Sequence, residues 1–416
     1  MSASEHPGAE LANIGLSRRR SNEWRTVRLG DVCRVVGGST PKTGIDDYWH
    51  GVIVWVTPSD LGRLDSDRIT NSDRCITQAG FDSCGADIVP TGSVVMSSRA
   101  PIGHLAIAAV PLCTNQGCKT FVPGRNVDSE FLYFRLKYAV PDLQALGSGA
   151  TFAEVSKRQC EAFEIPLPPL PEQKRIAASL REQLDAAARM RAAAERTLDA
   201  AKALRRTHIQ SVFESPPCST ATRVAVGEIS SLVMDGPHVT PQYVDSGVPF
   251  ITVRNIVGRK IDFSNTSFIT PEDHRSFSRR GRAEVGDILY TKDGTLGTPC
   301  LVDDAREFSF FVSVALIKLR RELANPRYVA YALESPDVVN QVEQLGMGAG
   351  LKHMVLRSIR SLTVPMPPLE DQQRLADELD VRISQARRLE EVASGHAAVV
   401  GRLPAAVLRR AFLSHE

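Results

Sequence analysis

The chain has 416 residues and 43% of them are hydrophobic, which is enough material for two or three folded domains. Its 50 Lys and Arg nearly balance 48 Asp and Glu, and the net charge of +2 excludes a chain that is basic overall. A surface for a polyanion would therefore depend on where individual cations lie. No run of about 18 apolar residues occurs, which excludes an ordinary membrane-spanning helix.

The N-terminal residues and the cysteines indicate the expected compartment. Residues 1–21 are polar and include a basic cluster, Arg18 to Arg20, so they predict a disordered tail rather than a secretory signal, and we expect a cytoplasmic protein. The eight cysteines form no CxxC pair, and their wide, uneven spacing matches neither a zinc site nor a disulfide framework. We expect reduced, mostly buried thiols, and neither a metal nor another cofactor.

The two halves of the chain are copies of each other. Residues 147–177 align without gaps with residues 346–376, and about a third of the positions are identical. The offset is 346 − 147 = 199, and it still holds where Phe213 meets Phe412. A duplication of this kind is the first feature to look for in a sequence, because it determines how the rest is interpreted.

Further upstream the two copies share only a pattern. GSVVMSSRAPIG from Gly92 is similar to GDILYTKDGTLG from Gly286, and IVWVTPSDLG from Ile53 is similar to PFITVRNIVG from Pro249. One well-matched part and one divergent part indicate a common scaffold that carries two separately tuned surfaces. An old duplication without any division of roles would leave the same pattern.

The well-matched part predicts two long helices, at 171–214 and 368–416. Apolar or small residues recur along both at spacings of three, four or seven, and beyond its first residue the former contains no Gly or Pro. Two such stripes can pack against each other in antiparallel fashion, although each helix could instead pack on its own domain. Gly395, Gly401 and Pro404 predict a kink or break near the end of the second helix. The leucines expected at the helix pair or at a partner interface are Leu180, Leu184, Leu198, Leu204, Leu375, Leu379, Leu389 and Leu403.

The divergent parts, 22–170 and 222–367, predict two α+β domains joined by a linker at 215–221. Each alternates short β-branched or aromatic runs with turn signals, and carries one helical stretch before a glycine-rich segment. The runs include VIVWV at 52–56, GSVVMS at 92–97, HLAIAAV at 104–110, GDILYT at 286–291 and FFVSVALIKL at 310–319, with helical stretches at 129–139 and 325–335. We expect largely antiparallel sheets and a pseudo-twofold repeat of domain and helix.

Three groups of motifs carry a family resemblance. The first domain contains Trp24, LGD at 29–31, GGSTPK at 37–42, YWHG at 48–51 and VWV at 54–56. The second contains VGEIS at 226–230, DGPH at 235–238 and GVPFITVRNI at 247–256. The junctions read IPLPPLPEQKRIA and VPMPPLEDQQRLA. Together these motifs resemble the specificity subunits of type I restriction-modification systems, over nearly everything from Trp24 to Phe412.

The resemblance implies a non-catalytic subunit that reads DNA sequence. It implies two target-recognition domains, each reading one half of a split site in double-stranded DNA. It also implies two methyltransferase (modification) subunits as partners, with restriction endonuclease subunits joining that core, and no contact with a membrane. A helix of about 40 residues spans roughly 60 Å, whereas major-groove faces on one side of DNA recur about every 34 Å. Such a helix pair can therefore hold two readers about one helical turn apart.

Candidate DNA contacts lie on polar, glycine-containing loops between strands, where backbone can approach phosphate and side chains can reach base edges. Arg suits guanine and Asn suits adenine in the major groove, while Lys most often meets phosphate. The candidates are Gly38, Ser39, Thr40, Lys42, Ser97, Ser98 and Arg99 in the first domain, and His238, Thr240, Arg254, Asn255, Lys292, Asp293, Lys352 and His353 in the second. For each of them an ordinary solvated loop side chain is the alternative.

Two other functions stay open at this point. The chain shows no HExxH, GxSxG, GxGxxG or NPPY-like motif, and GGSTPKT lacks the Gly that precedes the Lys of a phosphate-binding P-loop. A nuclease or methyltransferase fragment with an unrecognised motif would be active on its own. A coiled-coil interaction scaffold would not bind duplex DNA in a salt-dependent way.

Overall fold

A computed structural model of the chain describes residues 24–147, 153–345 and 353–413. The chain divides into two units, one of residues 1–192 with 398–416 and the other of residues 193–397. Each unit contains one α+β domain and parts of two long helices, so the predicted fold class is confirmed. The tail predicted at 1–21 lies outside the described residues.

The first domain is built on a five-stranded sheet that is covered on both faces. Its elements are β1 Arg25–Arg28, α1 Leu29–Val32, β2 Cys33–Gly37, β3 Trp49–Val56, α2 Pro58–Gly62, β4 Arg68–Ile69, β5 Cys75–Ile76, α3 Gln78–Asp82, β6 Val94–Ser97, β7 Leu105–Ala108, β8 Cys113–Thr114, β9 Cys118–Pro123, α4 Ser129–Tyr138, α5 Val140–Ala145, α6 Lys157–Ala162 and β10 Glu164–Leu167. The sheet order is β2-β9-β6-β7-β4, antiparallel except for the parallel pair β4 and β7. On the central strand β6, Val94 and Met96 join the core that includes α4, whereas Val95 joins the core on the opposite face. This is the period of two that a strand requires.

The second domain repeats this plan after the first long helix. The remaining elements are α7 Leu170–Phe213, β11 Arg223–Ala225, β12 Ser230–Asp235, β13 Tyr243–Val244, β14 Val248–Ile251, β15 Ile256–Val257, β16 Lys260–Ile261, β17 Ser267–Ile269, α8 Pro271–Phe277, β18 Ile288–Thr291, β19 Pro299–Leu301, β20 Ser309–Phe310, β21 Val314–Leu319, α9 Pro326–Ala332, α10 Pro336–Leu345, α11 Leu356–Ser361, β22 Thr363–Pro365, α12 Leu369–Gly401 and α13 Leu403–Phe412. The main sheet has the order β12-β21-β18-β19 and is antiparallel. On β18, Ile288 and Tyr290 face one core and Leu289 the other, as on β6.

Both domains have two helices before the glycine-rich segment, where the sequence predicts one. In the first domain α4 ends at Tyr138 and α5 begins at Val140, with Pro141 in its first turn. In the second, Pro336 opens α10 after α9 has ended. Proline has no backbone N–H to donate, so it ends the preceding helix and is tolerated at the start of the next one.

The long helices follow the predicted pattern, with one difference. α7 is continuous over 44 residues and α12 over 33. Gly395 does not interrupt α12, since it lies on an open helix face and a glycine costs only about 1 kcal/mol in a helix. The break comes after Gly401, and α13 begins at Leu403 with Pro404 in its first turn.

Segments of the two long helices run antiparallel in the second unit. In the second unit, Ser211 on α7 lies 3.5 Å from Arg382 on α12, whereas Arg205 lines the same cavity as Arg387. Residue numbers therefore rise along one helix as they fall along the other. In the first unit, Leu180 lines a groove together with residues of α13.

The predicted leucines divide into three groups by exposure. Leu180, Leu375 and Leu379 are buried, with 2%, 4% and 0% of their surfaces exposed. Half-buried positions are Leu184, Leu198, Leu204 and Leu403. Leu389 is 54% exposed, contrary to the predicted stripe. It therefore does not lie in the contact between the two long helices, the helix seam. The buried alanines Ala386 and Ala393 lie there instead, because small side chains permit the close approach of two helix backbones.

The repeated junction motif has a structural explanation in two buried glutamines. Gln173 and Gln372, each 1% exposed, lie in the first turn of α7 and α12. The side-chain carbonyl of Gln173 accepts the backbone N–H of Asp128 at 2.8 Å, and that of Gln372 accepts the backbone N–H of Asn325 at 2.9 Å. Because Asp128 and Asn325 cap α4 and α9, each glutamine fixes the start of a long helix to its own domain.

Candidate nucleic-acid interface

Two tryptophans hold the loop that follows β2 in the first domain. The indole N–H of Trp55 donates to the carbonyl of Ser39 at 2.9 Å, and that of Trp49 donates to the carbonyl of Lys42 at 3.4 Å. The two rings meet edge to face with their centroids 5.1 Å apart. The predicted loop from Ser39 to Lys42 therefore rests on a rigid aromatic base.

The same loop packs closely against residues 114–117, which read TNQG. A Cβ on Gly38 would come within 2.0 Å of the carbonyl oxygen of Asn115, so only glycine fits. The hydroxyl of Thr40 donates to the side-chain carbonyl of Gln116. Lys42 is exposed, and no carboxylate in the described part of the chain pairs with it. It is a free cation on an ordered loop, as a phosphate contact requires.

Ser97 and Ser98 are fully buried, which corrects their prediction as DNA contacts. The hydroxyl of Ser97 donates to the carbonyl of Pro101 at 2.7 Å and accepts the backbone N–H of His104 at 2.9 Å. Both serines lie at the end of the central strand β6, where neighbouring strands cover the side chains. The Ser97 hydroxyl thus satisfies the turn between β6 and β7, whereas the Ser98 hydroxyl contacts Lys119 and Glu154.

Arg99 belongs to a small charged cluster. Its guanidinium lies 3.7 Å from the carboxylate of Glu154, which also lies 3.2 Å from the ammonium of Lys119. Lys119 is only 7% exposed and donates to the hydroxyl of Ser98 at 3.1 Å. Arg99 is half-buried and neutralised by this partner, so less of its charge is available to DNA than that of Lys42.

The corresponding loop of the second domain starts in the same way and carries different side chains. A Cβ on Gly236 would come within 2.0 Å of the carbonyl oxygen of Phe310, so Gly236 is the counterpart of Gly38. Beyond it, His238 is 71% exposed with its ring nitrogen 3.4 Å from Asp235, and Thr240 is exposed. These two candidates therefore face solvent.

Lys292 and Asn255 are buried, which corrects two further predictions. Lys292 is 2% exposed and its ammonium lies 3.4 Å from Asp235. Asn255 is 7% exposed, and its side-chain carbonyl accepts the backbone N–H of Thr252 at 2.9 Å in a capping box. Arg254, on the same 3-10 turn, is exposed and keeps its place as a candidate. In both corrected cases an internal partner satisfies the polar group that was expected to face DNA.

Asp293 and His353 form a pair that matches Arg99 and Glu154, with the acidic side chain at the other position of the pair. The imidazole of His353 contacts the carboxylate of Asp293, and the two residues form an isolated β-bridge. His353 corresponds to Glu154 by the repeat offset of 199, since 353 − 154 = 199. The prediction for Lys352 lies outside the described residues.

The sequence analysis did not identify three charged residues that form ion pairs beneath or beside these loops. They are Lys119, Glu154 and Asp235, and no local motif distinguishes them. One usable signal was present, because Thr57 with Asp60 and Thr252 with Asn255 follow the spacing of a capping box. That spacing predicts that the Asn255 side chain caps its own turn.

The described residues contain free thiols but no cluster of metal ligands. Among residues 24–147, 153–345 and 353–413, no group of three His, Cys, Asp or Glu side chains could hold a metal ion. All eight cysteines are free thiols, and six of them are buried. No helix within these ranges is long and apolar enough to cross a membrane.

Comparison with known proteins gives a consistent result. A family model described as "Type I restriction modification DNA specificity domain" matches residues 21–191 and 245–393. The type I restriction enzyme MjaIX specificity subunit of Methanocaldococcus jannaschii is 40% identical over 160 residues, which are 38% of this chain and 37% of that protein. The MjaVIII specificity subunit of the same organism is 21% identical over 379 residues, 87% of this chain and 86% of that protein. The match thus spans less than half of the first relative and most of the second.

Two solved structures resemble the whole chain. One, from a study of complex assembly and conformational transition of the type I R-M system, has a TM-score of 0.75 at 20% identity and covers 95% of this chain and 99% of its own. The other, the HsdS subunit from Thermoanaerobacter tengcongensis, has a TM-score of 0.60 at 20% identity and covers 95% and 98%. At 20% identity, these two matches show that the fold is similar.

Proposed function

Because this chain belongs to the family of type I restriction-modification DNA specificity domains, we propose that it is the DNA-recognition subunit of such a system. Each of its two domains, 22–170 and 222–367, reads one half of a bipartite site in double-stranded DNA. The long helices set the distance between the two halves. This chain recognises the sequence, and methylation and cleavage take place in partner subunits.

One observation supports the proposal most strongly. The two domains have a similar backbone arrangement at one loop but expose different side chains there. The loop after the first main-sheet strand begins at Gly38 in one domain and at Gly236 in the other, each pressed against a carbonyl. Beyond this glycine the first loop exposes Lys42 and the second exposes His238. Two readers with similar backbones and different donors and acceptors are suited to two different half-sites.

The length of the helices supports the spacing role. A helix of 44 residues, as α7 is, spans about 66 Å at 1.5 Å per residue. One turn of DNA is about 34 Å long. The helix is therefore long enough for its two ends to serve readers that contact separate turns of the duplex.

The exposed surface of α12 supports the proposed partners. Val381, Leu389 and Val392 are 56%, 54% and 72% exposed and lie on one face of the helix. A row of exposed aliphatic side chains is typical of a protein-binding surface. We place the methyltransferase subunits on the helices, in two copies, with restriction endonuclease subunits joining this core in the cytoplasm.

Exchange of one domain tests the division of roles. Residues 24–165 are replaced by the equivalent domain of a relative, and the methylated sequence is read in cells that also express the methyltransferase. We expect one half of the methylated site to change and the other half to stay the same. A change in both halves would contradict the model of two separate readers.

Duplex binding by the purified chain separates this function from the two alternatives. Binding should weaken steeply as salt rises, because each phosphate contact releases a counterion. A coiled-coil scaffold would show no such binding. A nuclease or methyltransferase fragment would act on DNA without partners when given a divalent metal or a methyl donor.

A further inference from the structure

Arg74 lies flat against an aromatic platform in the first domain. Its guanidinium carbon is 3.5 Å from the centroid of the Trp49 indole and 5.7 Å from that of Trp55. The two indoles are only 5% and 3% exposed, so the platform itself is fixed by the core. A guanidinium stacked over a ring in this way keeps its plane defined while its N–H groups point outward along the edges.

The backbone that carries Arg74 is fixed as well. The hydroxyl of Ser72 accepts the backbone N–H of Trp55 at 3.0 Å and donates to the carbonyl of Arg74 at 2.9 Å. The backbone N–H of Asp73 donates to the carboxylate of Asp60 at 3.0 Å. Position and plane of the guanidinium are therefore set before any ligand arrives.

The guanidinium of Arg74 is unpaired in the described part of the chain, where it has neither a carboxylate partner nor a side-chain hydrogen bond. Two other arginines of this domain have acidic partners: Arg63 contacts Asp73, and Arg99 lies 3.7 Å from Glu154. An ordered arginine with five free donors is suited to an external acceptor.

Arg74 also lies beside the candidate loop. The indole beneath its guanidinium is the one that donates to the carbonyl of Lys42, and the adjoining indole donates to the carbonyl of Ser39. The stacked arginine and the exposed lysine thus share one support. The lysine offers a mobile charge suited to phosphate, whereas the arginine offers a planar fork with a fixed direction.

The counterpart of Arg74 in the second domain is Ser267. Each lies three residues before the threonine that caps the next helix, Thr77 for α3 and Thr270 for α8. Each also directly precedes a residue that pairs with a strand of the second sheet of its domain, since Cys75 pairs with Val54 on β3 and Phe268 pairs with Pro249 on β14. The two backbone positions are equivalent and their side chains differ, as expected of a position that determines sequence preference.

The aromatic platform is partly retained in the second domain. Trp49 pairs with Ile76 and Tyr243 pairs with Ile269, and these isoleucines each precede the capping threonine. The second domain therefore keeps an aromatic residue at this place, but no arginine among its described residues stacks on it.

We propose that Arg74 is a specificity-determining residue that reads a guanine in the half-site of the first domain, an inference that rests on the proposed function. One edge of a guanidinium presents two parallel N–H donors that match the N7 and O6 acceptors of guanine in the major groove. Stacking on Trp49 removes the freedom that an arginine otherwise loses on binding. A phosphate contact would not need this fixed plane.

The test uses the full chain and a pool of duplex DNA with random sequence, from which bound molecules are sequenced. The unmodified protein should enrich a bipartite site with a guanine in one half. In Arg74→Ala the preference for that guanine should fall by ~10-fold or more, while the other half keeps its pattern. Arg74→Lys keeps the charge but not the planar fork, and should show the same loss of preference.

Arg34→Ala is the matched control. Arg34 is an exposed arginine of the same domain that lies 3.5 Å from Asp87 and stacks on neither Trp49 nor Trp55, so its removal should leave the enriched sequence intact. If Arg74→Ala weakens binding equally for all sequences, or changes nothing, Arg74 does not read a base. If the unmodified protein enriches no sequence at all, the proposed function itself is wrong. Thermal unfolding of both Arg74 variants, followed by circular dichroism, shows whether they remain folded.

Discussion

Arg181 and Asp380 occupy the same position on the two long helices and carry opposite charges, since 380 − 181 equals the repeat offset of 199. Arg181 contacts Glu130, the second residue of α4, at 3.2 Å. Asp380 contacts Arg327, the second residue of α9. The same bridge between domain and helix thus exists in both units with its charges exchanged. Each domain is therefore complementary in charge to its own long helix. Packed against the other long helix, it would bring like charges together.

Reversal of one of these charges should destabilise its unit. In Arg181→Asp the new carboxylate would meet Asp67 and Glu130, and we expect a loss of about 1–3 kcal/mol because the bridge is partly buried. Urea unfolding followed by tryptophan fluorescence measures it, since all three tryptophans lie in the first domain. The control is Arg175→Asp, an equal reversal on the same helix at a site 65% exposed, which should cost about 0.5 kcal/mol or less. Equal losses in the two variants would contradict a specific bridge.

Replacing Gln173 by leucine should uncouple the first domain from α7. The amide also donates to the carbonyls of Asn126 and Pro168, so Gln173→Leu leaves three buried or partly buried backbone groups without this partner. At about 1–3 kcal/mol for each such group we expect a loss of about 3 kcal/mol or more. Gln183→Leu, at an exposed position of the same helix, should change the unfolding free energy little. A small effect of Gln173→Leu would mean that water replaces the amide.

Two leucines on α12 should respond differently to a charge. Leu379 is 0% exposed in the core of the second unit, so Leu379→Asp should cost about 4 kcal/mol or more. Leu389 is 54% exposed, and Leu389→Asp should stay within about 0.5 kcal/mol of the unmodified protein. Circular dichroism during thermal unfolding gives both values. Similar melting of the two variants would show that the helix seam is assigned to the wrong face.

The thiols should differ in reactivity according to burial. Burial raises the pKa of Cys118 to about 12, and it does the same for Cys33, Cys113, Cys160 and Cys300. The partly exposed Cys75 and Cys84 should therefore react first with iodoacetamide at neutral pH, and all eight should react in urea. Mass spectrometry of the labelled peptides identifies the sites. Labelling of Cys118 as fast as Cys75 would be inconsistent with this fold.

The same groups predict how stability depends on alkaline pH. Their pKa values in the folded chain lie above the ordinary value of 9.0, so the neutral thiol is favoured by folding. The stability that they contribute is complete below pH 9 and is lost as the pH rises from 9 towards 12. Replacing Cys118 by alanine should reduce this loss. The comparison is the urea midpoint of both proteins at pH 8 and pH 10.

The repeat, the long helices and the junction motif could be predicted from the sequence because their signals are local. Proline and glycine mark the ends of elements, apolar residues recur with the period of a helix, and a constant offset of 199 relates the well-matched parts of the two copies. Loop glycines such as Gly38 were found for the same reason. The prediction failed for Ser97, Ser98, Asn255 and Lys292, which are polar residues in loop-like sequence that turn out to be buried.

The sequence by itself determined the duplication, the α+β class and the family resemblance, since local propensity and periodicity act over a few residues. Only the tertiary structure decided which polar groups face solvent and which charges meet. Asp235 reaches Lys292 and Arg74 reaches Trp49 across long stretches of chain, because the sheet brings distant strands side by side. Burial and charge pairing depend on these neighbours in space, and the order of residues along the chain does not contain them in readable form.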